Sequence, residues 1–343
     1  FGGKFHAVMD PVRHPAAGLR ALFTPVLRWS DGPRLTKLRL EDPSSPDGRA
    51  RLTTLEYLRA RGLSSESIDR FFRPFFGGVF LDHDLHTGAW LFRFLFNRFA
   101  AGPAGLPERG MAEIPRVLAE PLDPSDIRLN CRVAAINGTV VQLEGGETVQ
   151  GSQIVVATDA AGRTDLLPSS STVQWNACTT LYFAAEQAPL DEPTLLLNGE
   201  GDAGGPIGTM CVPSNVAASY APAGSALISV TTSRAFPDSD ILRDQVRSQL
   251  TAWFGAQVGR WEHLATYHIP RALPSFREAR DPTKGTVERV GDNVIVCGDY
   301  LENPSIDGAM VSGRRAAEAV LARCQPVDSR GDGPRPGMRS HNQ

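Results

Sequence analysis

The sequence predicts an α/β fold with α+β character, arranged in two lobes. Three observations support this prediction. Residues 1–105 contain short helical patterns that prolines interrupt. Residues 127–160 contain short apolar strands joined by Asn-Gly and Gly-Gly turns, which are typical of hairpins. Residues 293–324 pass from an apolar strand through a Gly-Asp turn into a helix. Together these patterns predict a helical part, a sheet and a separate strand–helix unit.

Five segments are predicted along the chain. Residues 1–105 are the helical part, in which "TTLEYLRARG" indicates a helix with a Thr start and a Gly62 stop. Residues 106–166 begin with a helix, "GMAEIPRVLAEPL", and continue with three short strands. Residues 167–282 are mainly strands with one helix, "DSDILRDQVRSQLTAWFG", which favours an antiparallel sheet. Residues 283–324 hold the last strand and helix, and the polar, Pro/Gly-rich residues 325–343 are predicted to be disordered.

The composition limits the partners of the chain. Its 343 residues are 41% apolar and 21% charged, with a net charge of −3, so we expect no general affinity for nucleic acid. No apolar run reaches the roughly 20 residues of a membrane-spanning helix, although peripheral membrane contact stays open. The five scattered cysteines favour a reducing compartment, so we expect a cytoplasmic location, with the plastid stroma as the alternative. The sequence predicts no oligomeric state.

Two local motifs are not interpreted as binding sites. Gly199–Gly204 matches G-x-G-x-x-G, but the following Gly205-Pro206-Ile207-Gly208 cannot continue a helix, so a Gly-rich hairpin loop is predicted. The cluster "DHDLH", residues 82–86, has no spacing that brings three metal ligands together. We expect a polar turn between two aromatic segments there, and no metal.

Ten aromatic residues occur between positions 71 and 99: Phe71, Phe72, Phe75, Phe76, Phe80, Trp90, Phe92, Phe94, Phe96 and Phe99. The pattern favours a core. The interleaved Arg73, Arg93 and Arg98 indicate that the segment keeps one solvated edge. Two alternatives stay open, namely the lining of a large apolar cavity and an amphipathic face on a membrane.

The stretch "VCGDYLENPSIDGAMVSGRR" is the main candidate site. Gly308, Ser312 and Ala316 at i, i+4 spacing leave one helix face almost bare, so a flat group or another backbone can approach closely. The N–H groups of residues 306–309 at the helix start would stabilise an anion or an electron-rich carbonyl, such as the N1/C2=O2 edge of a reduced flavin. The alternative is a strand–turn–helix whose small face packs on a sheet.

At these residues the sequence resembles the FAD-dependent amine oxidase/phytoene desaturase superfamily, which includes the protoporphyrinogen oxidases. The C-terminal flavin motif of that superfamily runs from a strand through Gly-Asp or Gly-Glu and a spacer to an acid or Asn followed by Gly-Ala-x-x-Ser-Gly. "CGDYLENPSIDGAMVSGRRAAEAV" is similar throughout. Three further stretches are similar to other parts of that superfamily's sequences. They lie around Arg109-Gly110-Met111, at Val133 and at Thr158-Asp159.

The resemblance implies a Rossmann-like FAD/NAD(P)-binding domain (106–166 and 283–324) and a substrate domain of mixed or antiparallel sheet plus the helical lobe (1–105 and 167–282). The family's first βαβ unit, with its G-x-G-x-x-G, is not found upstream, so we expect a domain incomplete at its N-terminus. Asp299 would form a hydrogen bond with FAD near the ribityl–pyrophosphate region of the cofactor. The amides of residues 305–309 would face the isoalloxazine ring. The candidate cofactor-binding residues are Gly110, Met111, Val133, Thr158, Gly298, Asp299, Ser305, Ile306, Asp307, Gly308 and Ala309.

The resemblance also implies a flavin-dependent oxidoreductase. Amine oxidases of the superfamily commonly carry an aromatic residue two places before the helix acid, where this chain has Ser305. An amine would lose its cation–π wall there, so hydride removal from an apolar small molecule, with flavin N5 as acceptor, is favoured. No catalytic base is named; Tyr267 and His268 are candidates to lie near the substrate. The alternatives are a flavin amine oxidase, a non-catalytic prenyl-binding protein of the GDP-dissociation-inhibitor type, and an inactive fragment.

Overall fold

The computed structural model describes residues 1–9, 23–42, 51–167, 173–277 and 287–324. The predicted disordered tail, 325–343, lies outside the described residues. Within them, helices are mixed with a parallel strand pair and with antiparallel sheets. The predicted α/β fold with α+β character is therefore confirmed. In the described part of the chain, no helix is both long and apolar enough to span a bilayer.

The elements described between residues 23 and 101 are helical: the 3₁₀ turn Trp29–Asp31, α1 (Gly32–Leu40), α2 (Thr54–Ala60), the turn Ser65–Ser67, the π-helical segment Ile68–Phe72, α3 (Arg73–Phe80) and α4 (Ala89–Ala101). Helix α2 begins and ends where the sequence predicts. Thr53 Oγ1 accepts the N–H of Glu56, whose carboxylate accepts the N–H of Thr53 in return. Gly62, just beyond the helix, has a φ of +78°, a conformation that favours glycine.

Aromatic rings form the core of the helical lobe. Five of them are at most 3% exposed: Phe72, Phe76, Phe80, Trp90 and Phe92. The ring centroids of Phe76 and Phe92 lie 4.7 Å apart in a T-shaped arrangement, which favours the contact beyond the area it buries. The prediction that these rings build a core is confirmed, and Phe99, 39% exposed, lies at its edge.

The interleaved arginines do not share one edge. Arg98 is exposed, as the sequence predicts. Arg93 is only 6% exposed, and its guanidinium donates to the carbonyl oxygen of Asp42 at 2.9 Å. The expectation that Arg93 marks a solvated edge is wrong, because its charged end is held by a backbone acceptor inside the lobe.

A three-stranded meander follows α5 (Glu113–Ala119). Its strands β1 (Val133–Asn137), β2 (Val140–Leu143) and β3 (Thr148–Gln150) are antiparallel in the order β1-β2-β3. The predicted Asn-Gly and Gly-Gly turns join them, and Gly138 and Gly146 both have positive φ. The sequence did not predict β3, because its three residues are all exposed and carry no apolar pattern.

A second sheet joins two distant parts of the chain. β4 (Ile154–Val156) pairs in parallel with β11 (Val294–Val296), which pairs antiparallel with β10 (Glu288–Val290). α6 (Ala160–Leu166) follows β4, and α9 (Ile306–Cys324) follows β11. The buried guanidinium of Arg163 in α6 forms an ion pair with Glu288 of β10. Two parallel strand–helix units side by side make this a Rossmann-like layer.

The third sheet has the strand order β6-β7-β8-β5-β9 and is antiparallel throughout. Its strands are β5 (Trp175–Ala185), β6 (Leu196–Leu197), β7 (Ile207–Cys211), β8 (Ala226–Thr232) and β9 (Glu262–Pro274), with α7 (Pro213–Val216) after β7 and α8 (Asp240–Phe254) after β8. Leu242, Val246 and Leu250 of α8 pack against one sheet face. The predicted antiparallel sheet and its helix are both confirmed.

The literal G-x-G-x-x-G match lies in a loop of this sheet. β6 and β7 pair antiparallel, and the loop between them contains a single 3₁₀ turn, Gly201–Gly204. No long helix begins in the motif, so it lacks the helix start that binds a pyrophosphate. The predicted hairpin loop is confirmed.

Candidate functional site

The candidate site lies where β4 and β11 end. Because the two strands are parallel and in register, from Val294 opposite Ile154 to Val296 opposite Val156, their carboxyl ends share one edge. Thr158 follows β4 at this edge, and Gly298-Asp299 follows β11. Ligands of open parallel sheets bind outside such carboxyl ends.

Two carboxylates lie at this edge. Asp159 caps α6, since its Oδ1 accepts the N–H of Gly162 at 2.7 Å. Asp299 is partly buried, and burial raises its pKa above the ordinary value. The charge of Asp159 raises the pKa of Asp299 further, whereas a hydrogen bond from the backbone N–H of Tyr300 acts in the opposite direction. The edge therefore holds one capping carboxylate and one carboxylate that is costly to ionise.

Replacing Asp299 by Asn is expected to stabilise the chain at neutral pH. The folded carboxyl binds its proton more tightly than the unfolded one, so the free energy of unfolding falls as pH rises from 3.8 through the raised pKa. Asp299→Asn removes this loss, and its stability advantage should grow as the pH rises above the ordinary carboxyl pKa of 3.8 and level off above the raised one. Urea denaturation across that range measures it. Asp292→Asn, at an exposed position after β10, is the control, and a difference that is independent of pH would contradict the prediction.

Gly298 packs tightly against the next aromatic ring. A Cβ on Gly298 would lie 2.3 Å from Cε1 of Tyr300, whose ring is buried. The N–H of Gly298 donates to Ser312 Oγ of α9 at 3.0 Å. The Gly-Asp turn is thus held between Tyr300 and the helix. Ser312 was not predicted as a supporting residue, although its small size at the helix spacing was visible in the sequence.

The small-residue face of α9 is buried within the protein. Ala316 packs with Ile295 and Cys297 of the preceding strand region. A Cβ on Gly308 would lie 2.0 Å from the carbonyl oxygen of Asn303. Of the two interpretations of this face, the strand–turn–helix packing is therefore the observed one. The carbonyl oxygen of Asn303 lies on the Cβ side of Gly308, and the approach of a flat group to this glycine stays a prediction.

The tip of α9 is only partly closed. Ser305 Oγ accepts the N–H of Gly308 at 3.0 Å, and the carbonyl of Ser305 accepts the N–H of Ala309. Among the described residues, the N–H groups of Ile306 and Asp307 have no acceptor, and both residues are exposed. Two amides of the first turn thus remain free to bind an electron-rich group.

An ion pair fixes the connection to this tip. Arg315 of α9 donates to Glu302, whose side chain is 6% exposed. The pair ties the spacer between β11 and α9 back onto the helix. The two residues are thirteen positions apart and no sequence pattern links them, so this ion pair could not be predicted.

The remaining predicted cofactor residues lie on other elements. Gly110, with a φ of +89°, and the exposed Met111 belong to a loop whose Pro107 carbonyl accepts the Tyr220 hydroxyl at 2.9 Å. That hydrogen bond ties the loop to the antiparallel sheet region. Val133 begins β1 and pairs with Leu143. Within the described residues, the hydrogen bonds of this loop and of Val133 do not reach the tip of α9.

The other candidate groups have structural partners. His268 is exposed, and its Nδ1 lies 3.1 Å from Thr179 Oγ1. Residues 82–86 form the predicted polar turn between α3 and α4, and Asp82 Oδ2 accepts the N–H of Thr87 at 2.6 Å. In the parts of the chain that the structure describes, no group of three or more His, Cys, Asp or Glu could hold a metal ion.

An acidic turn and an open helix tip lie at the carboxyl edge of a parallel strand pair, beside a separate antiparallel sheet. This arrangement is a Rossmann-like fold of the class found in FAD-binding oxidoreductases. The chain belongs to the flavin containing amine oxidoreductase family, which matches residues 1–321. No curated protein matches the chain by sequence.

Solved structures share the fold at low sequence identity. An oxidoreductase from Methanosarcina mazei is similar with a TM-score of 0.66 and 16% identity, over 85% of this chain and 73% of that one. Cyclohexylamine oxidase from Brevibacterium oxydans has a TM-score of 0.55 and 13% identity, over 86% and 74%. A reduced UDP-galactopyranose mutase has a TM-score of 0.53 and 13% identity, over 85% and 72%.

The residues at the strand edge fit part of a flavin cofactor. The two free amides at the tip of α9 suit the electron-rich edge of a flavin ring, and the half-buried Asp299 suits a hydroxyl donor. Ser312 and Ala316 of the small face of α9 are buried, and the carbonyl oxygen of Asn303 lies on the Cβ side of Gly308. The fit is therefore limited to the helix tip and the Gly-Asp turn.

Proposed function

We propose that the chain is an FAD-dependent oxidoreductase that removes hydride from an apolar small molecule. The observation that carries this proposal is the pair of free amides at Ile306 and Asp307, next to the Gly-Asp turn, in a chain of a flavin family. The family makes a flavin the expected cofactor, and the resemblance of the C-terminal motif favours FAD.

The residues at the edge would bind and orient the cofactor. When bound, the flavin supplies a hydride acceptor at N5. The amides of Ile306 and Asp307, at the positive end of the α9 dipole, would stabilise negative charge that develops near them. Asp299 would accept a hydrogen bond from a ribityl hydroxyl, and the Glu302–Arg315 ion pair would hold the tip in position.

Ser305 favours an apolar substrate, because it stands at the position where amine oxidases of the superfamily commonly carry an aromatic residue. Ser305 has no ring, and its hydroxyl is committed to the N–H of Gly308. A substrate cation would find no π-face from this residue. His268 is engaged by Thr179, so we assign no general base, in keeping with a hydride transfer that needs none.

A flavin amine oxidase is the second candidate. Tyr182 and Tyr267, on neighbouring strands of the antiparallel sheet, have ring centroids 5.9 Å apart at an interplanar angle of 77°, and Tyr267 is 55% exposed. Such a pair could offer a π-face to an amine. The family description names amine oxidoreduction, which is consistent with this candidate.

A flavin titration tests the cofactor assignment. Ile306→Asp places a negative charge beside the two free amides and is expected to weaken FAD binding by about tenfold, because the charge competes for the same positive field. Leu321→Asp makes the same change at an exposed position near the other end of α9 and should leave the affinity unchanged. Quenching of flavin fluorescence measures both affinities.

Two outcomes would contradict the proposal. A purified wild-type chain that stays colourless and binds no FAD would favour the non-catalytic or inactive alternative. Equal FAD affinities for Ile306→Asp and wild type would show that the tip of α9 is not part of the FAD site. If FAD binds, anaerobic bleaching of the flavin tests the substrate class. Bleaching by a cyclic amine but not by an apolar polyene would favour the amine oxidase. Bleaching by the polyene but not by the amine would support the proposed substrate class.

A further inference from the structure

The junction between the helical lobe and the antiparallel sheet is closely packed. In α3, a Cβ on Gly77 would lie 3.2 Å from the Cα of His83, and a Cβ on Gly78 would lie 3.0 Å from Cγ2 of Thr209 in β7. Helix α3 therefore lies directly against both the turn of residues 82–86 and the sheet. A charged side chain that enters such a junction loses much of its hydration.

His83 is the titratable side chain that crosses this junction. It belongs to the turn of the helical lobe, its side chain is 12% exposed, and its Nε2 lies 3.6 Å from Oδ1 of Asp202 in the β6–β7 loop. The carbonyl oxygen of His83 accepts a hydrogen bond from the guanidinium of Arg73 in α3 at 2.9 Å. The backbone of His83 is thus held on the helical side, while its ring faces the sheet side.

Four charged groups act on the ring of His83. Arg73 and Asp84 belong to the helical lobe. The other two, Asp202 and Arg234, belong to loops of the antiparallel sheet. The guanidinium of Arg234 lies 3.3 Å from a carboxylate oxygen of Asp84 and 3.7 Å from one of Asp202. The four charges balance when His83 is neutral, and a proton on the ring would leave one positive charge in excess.

These surroundings disfavour protonation of His83. Burial lowers the pKa of its ring below the ordinary value of 6.5. The charges of Asp202 and Asp84 raise this pKa, whereas those of Arg234 and Arg73 lower it further. Because the ring in the closed junction binds its proton more weakly than a solvated ring, acidification favours the open state. The free energy that closes the junction is therefore lost as the pH falls from 6.5 through the lowered pKa.

We propose that His83 is a pH-sensitive latch between the helical lobe and the antiparallel sheet. The neutral imidazole keeps the turn of residues 82–86 against the β6–β7 loop, and its protonation releases this contact. The proposal does not depend on the proposed redox function, because no residue of the α9 tip takes part.

Hydrogen exchange of two backbone amides reports the opening of the junction from its two sides. In the turn, the N–H of Leu85 donates to the carbonyl of Asp82 at 3.0 Å, and in the loop the N–H of Gly205 donates to the carbonyl of Asp202 at 3.2 Å. Their protection factors, corrected for the intrinsic exchange rate at each pH, should fall severalfold between about pH 7.5 and about pH 5.5. The titration of a free imidazole sets a ceiling of about tenfold on this change.

Two glutamine variants of the full chain assign the effect. His83→Gln keeps a polar side chain that is neutral at both pH values, and the protection factors should then change less than about twofold between them. His86→Gln makes the same substitution in the same turn, where the side chain is 49% exposed, and should keep the pH dependence of the wild type. Wild-type pH dependence in His83→Gln would overturn the proposal, and so would its loss in His86→Gln.

An NMR titration of the wild-type chain tests the latch even if His83→Gln fails to fold. The ring resonances of His83, assigned through bonds, should titrate with a pKa below 6.5. A pKa at or above that value would overturn the proposal, because protonation would then not oppose the closed junction.

Discussion

Phe76→Ala is expected to lower the free energy of unfolding by about 4 kcal/mol. The Phe76 side chain is fully buried, and its ring contacts those of Phe72, Phe80 and Phe92 at centroid distances from 4.7 to 6.3 Å. Removing it takes away apolar burial and leaves a cavity between two helices that cannot collapse fully. Urea denaturation followed by circular dichroism measures the change.

Phe99→Ala is the matched control for this prediction. Phe99 belongs to the same aromatic group, with its ring centroid 6.3 Å from that of Phe76, but it is 39% exposed. Truncating this partly exposed ring creates no buried cavity and should lower the free energy of unfolding by only about 1 kcal/mol. Equal losses for the two variants would show that the rings do not form the packed centre of the helical lobe.

Gly308→Ala is expected to lower the free energy of unfolding by about 2 kcal/mol, although alanine favours helices. The new Cβ would lie 2.0 Å from the carbonyl oxygen of Asn303, which is backbone and cannot rotate away. The spacer before α9 would have to move, and Ser305 with it. Flavin binding should weaken in parallel, because the free amides follow directly after Ser305.

Gly313→Ala is the control on the same helix. No atom lies within 4 Å of a Cβ at Gly313, so alanine should stabilise the chain by up to about 1 kcal/mol. The two glycine substitutions thus have opposite expected signs within five residues. Thermal unfolding of both variants, with a flavin titration of each, is the measurement. Stabilisation by Gly308→Ala would contradict the close approach of Asn303.

Much of the fold follows from local patterns. A few neighbouring residues predict each of three local features, and the structure contains all three. They are the helix cap at Thr53, the Asn-Gly turn after β1 and the helix that begins after Ser239. β3 could not be predicted, because three exposed residues carry no periodicity. The burial of Arg93 was also hidden, since its acceptor is the backbone of a residue far away in sequence.

The candidate site was predictable only in part. The Gly-Asp turn and the start of α9 are visible in the sequence, because Gly, Asp, Pro and Ser have strong local preferences. Which neighbour fills the bare helix face depends on the path of the spacer, and only the structure gives the contact between Gly308 and Asn303. The contact between His83 and Asp202 was hidden as well, because the turn and the loop that carry them meet only in three dimensions.

The parallel pairing of β4 with β11 has a consequence for how the chain acquires its shape. Gln153 and Asn293, which hydrogen-bond beside these strands, are 140 residues apart, and the whole antiparallel sheet lies between them. Closing so long a flexible loop carries an entropic penalty of about 4 kcal/mol, apart from a constant. If the sheet assembles first, its compact form brings the two ends together and removes most of that penalty. The carboxyl edge, with Asp299 and the helix tip, would then be completed late in folding.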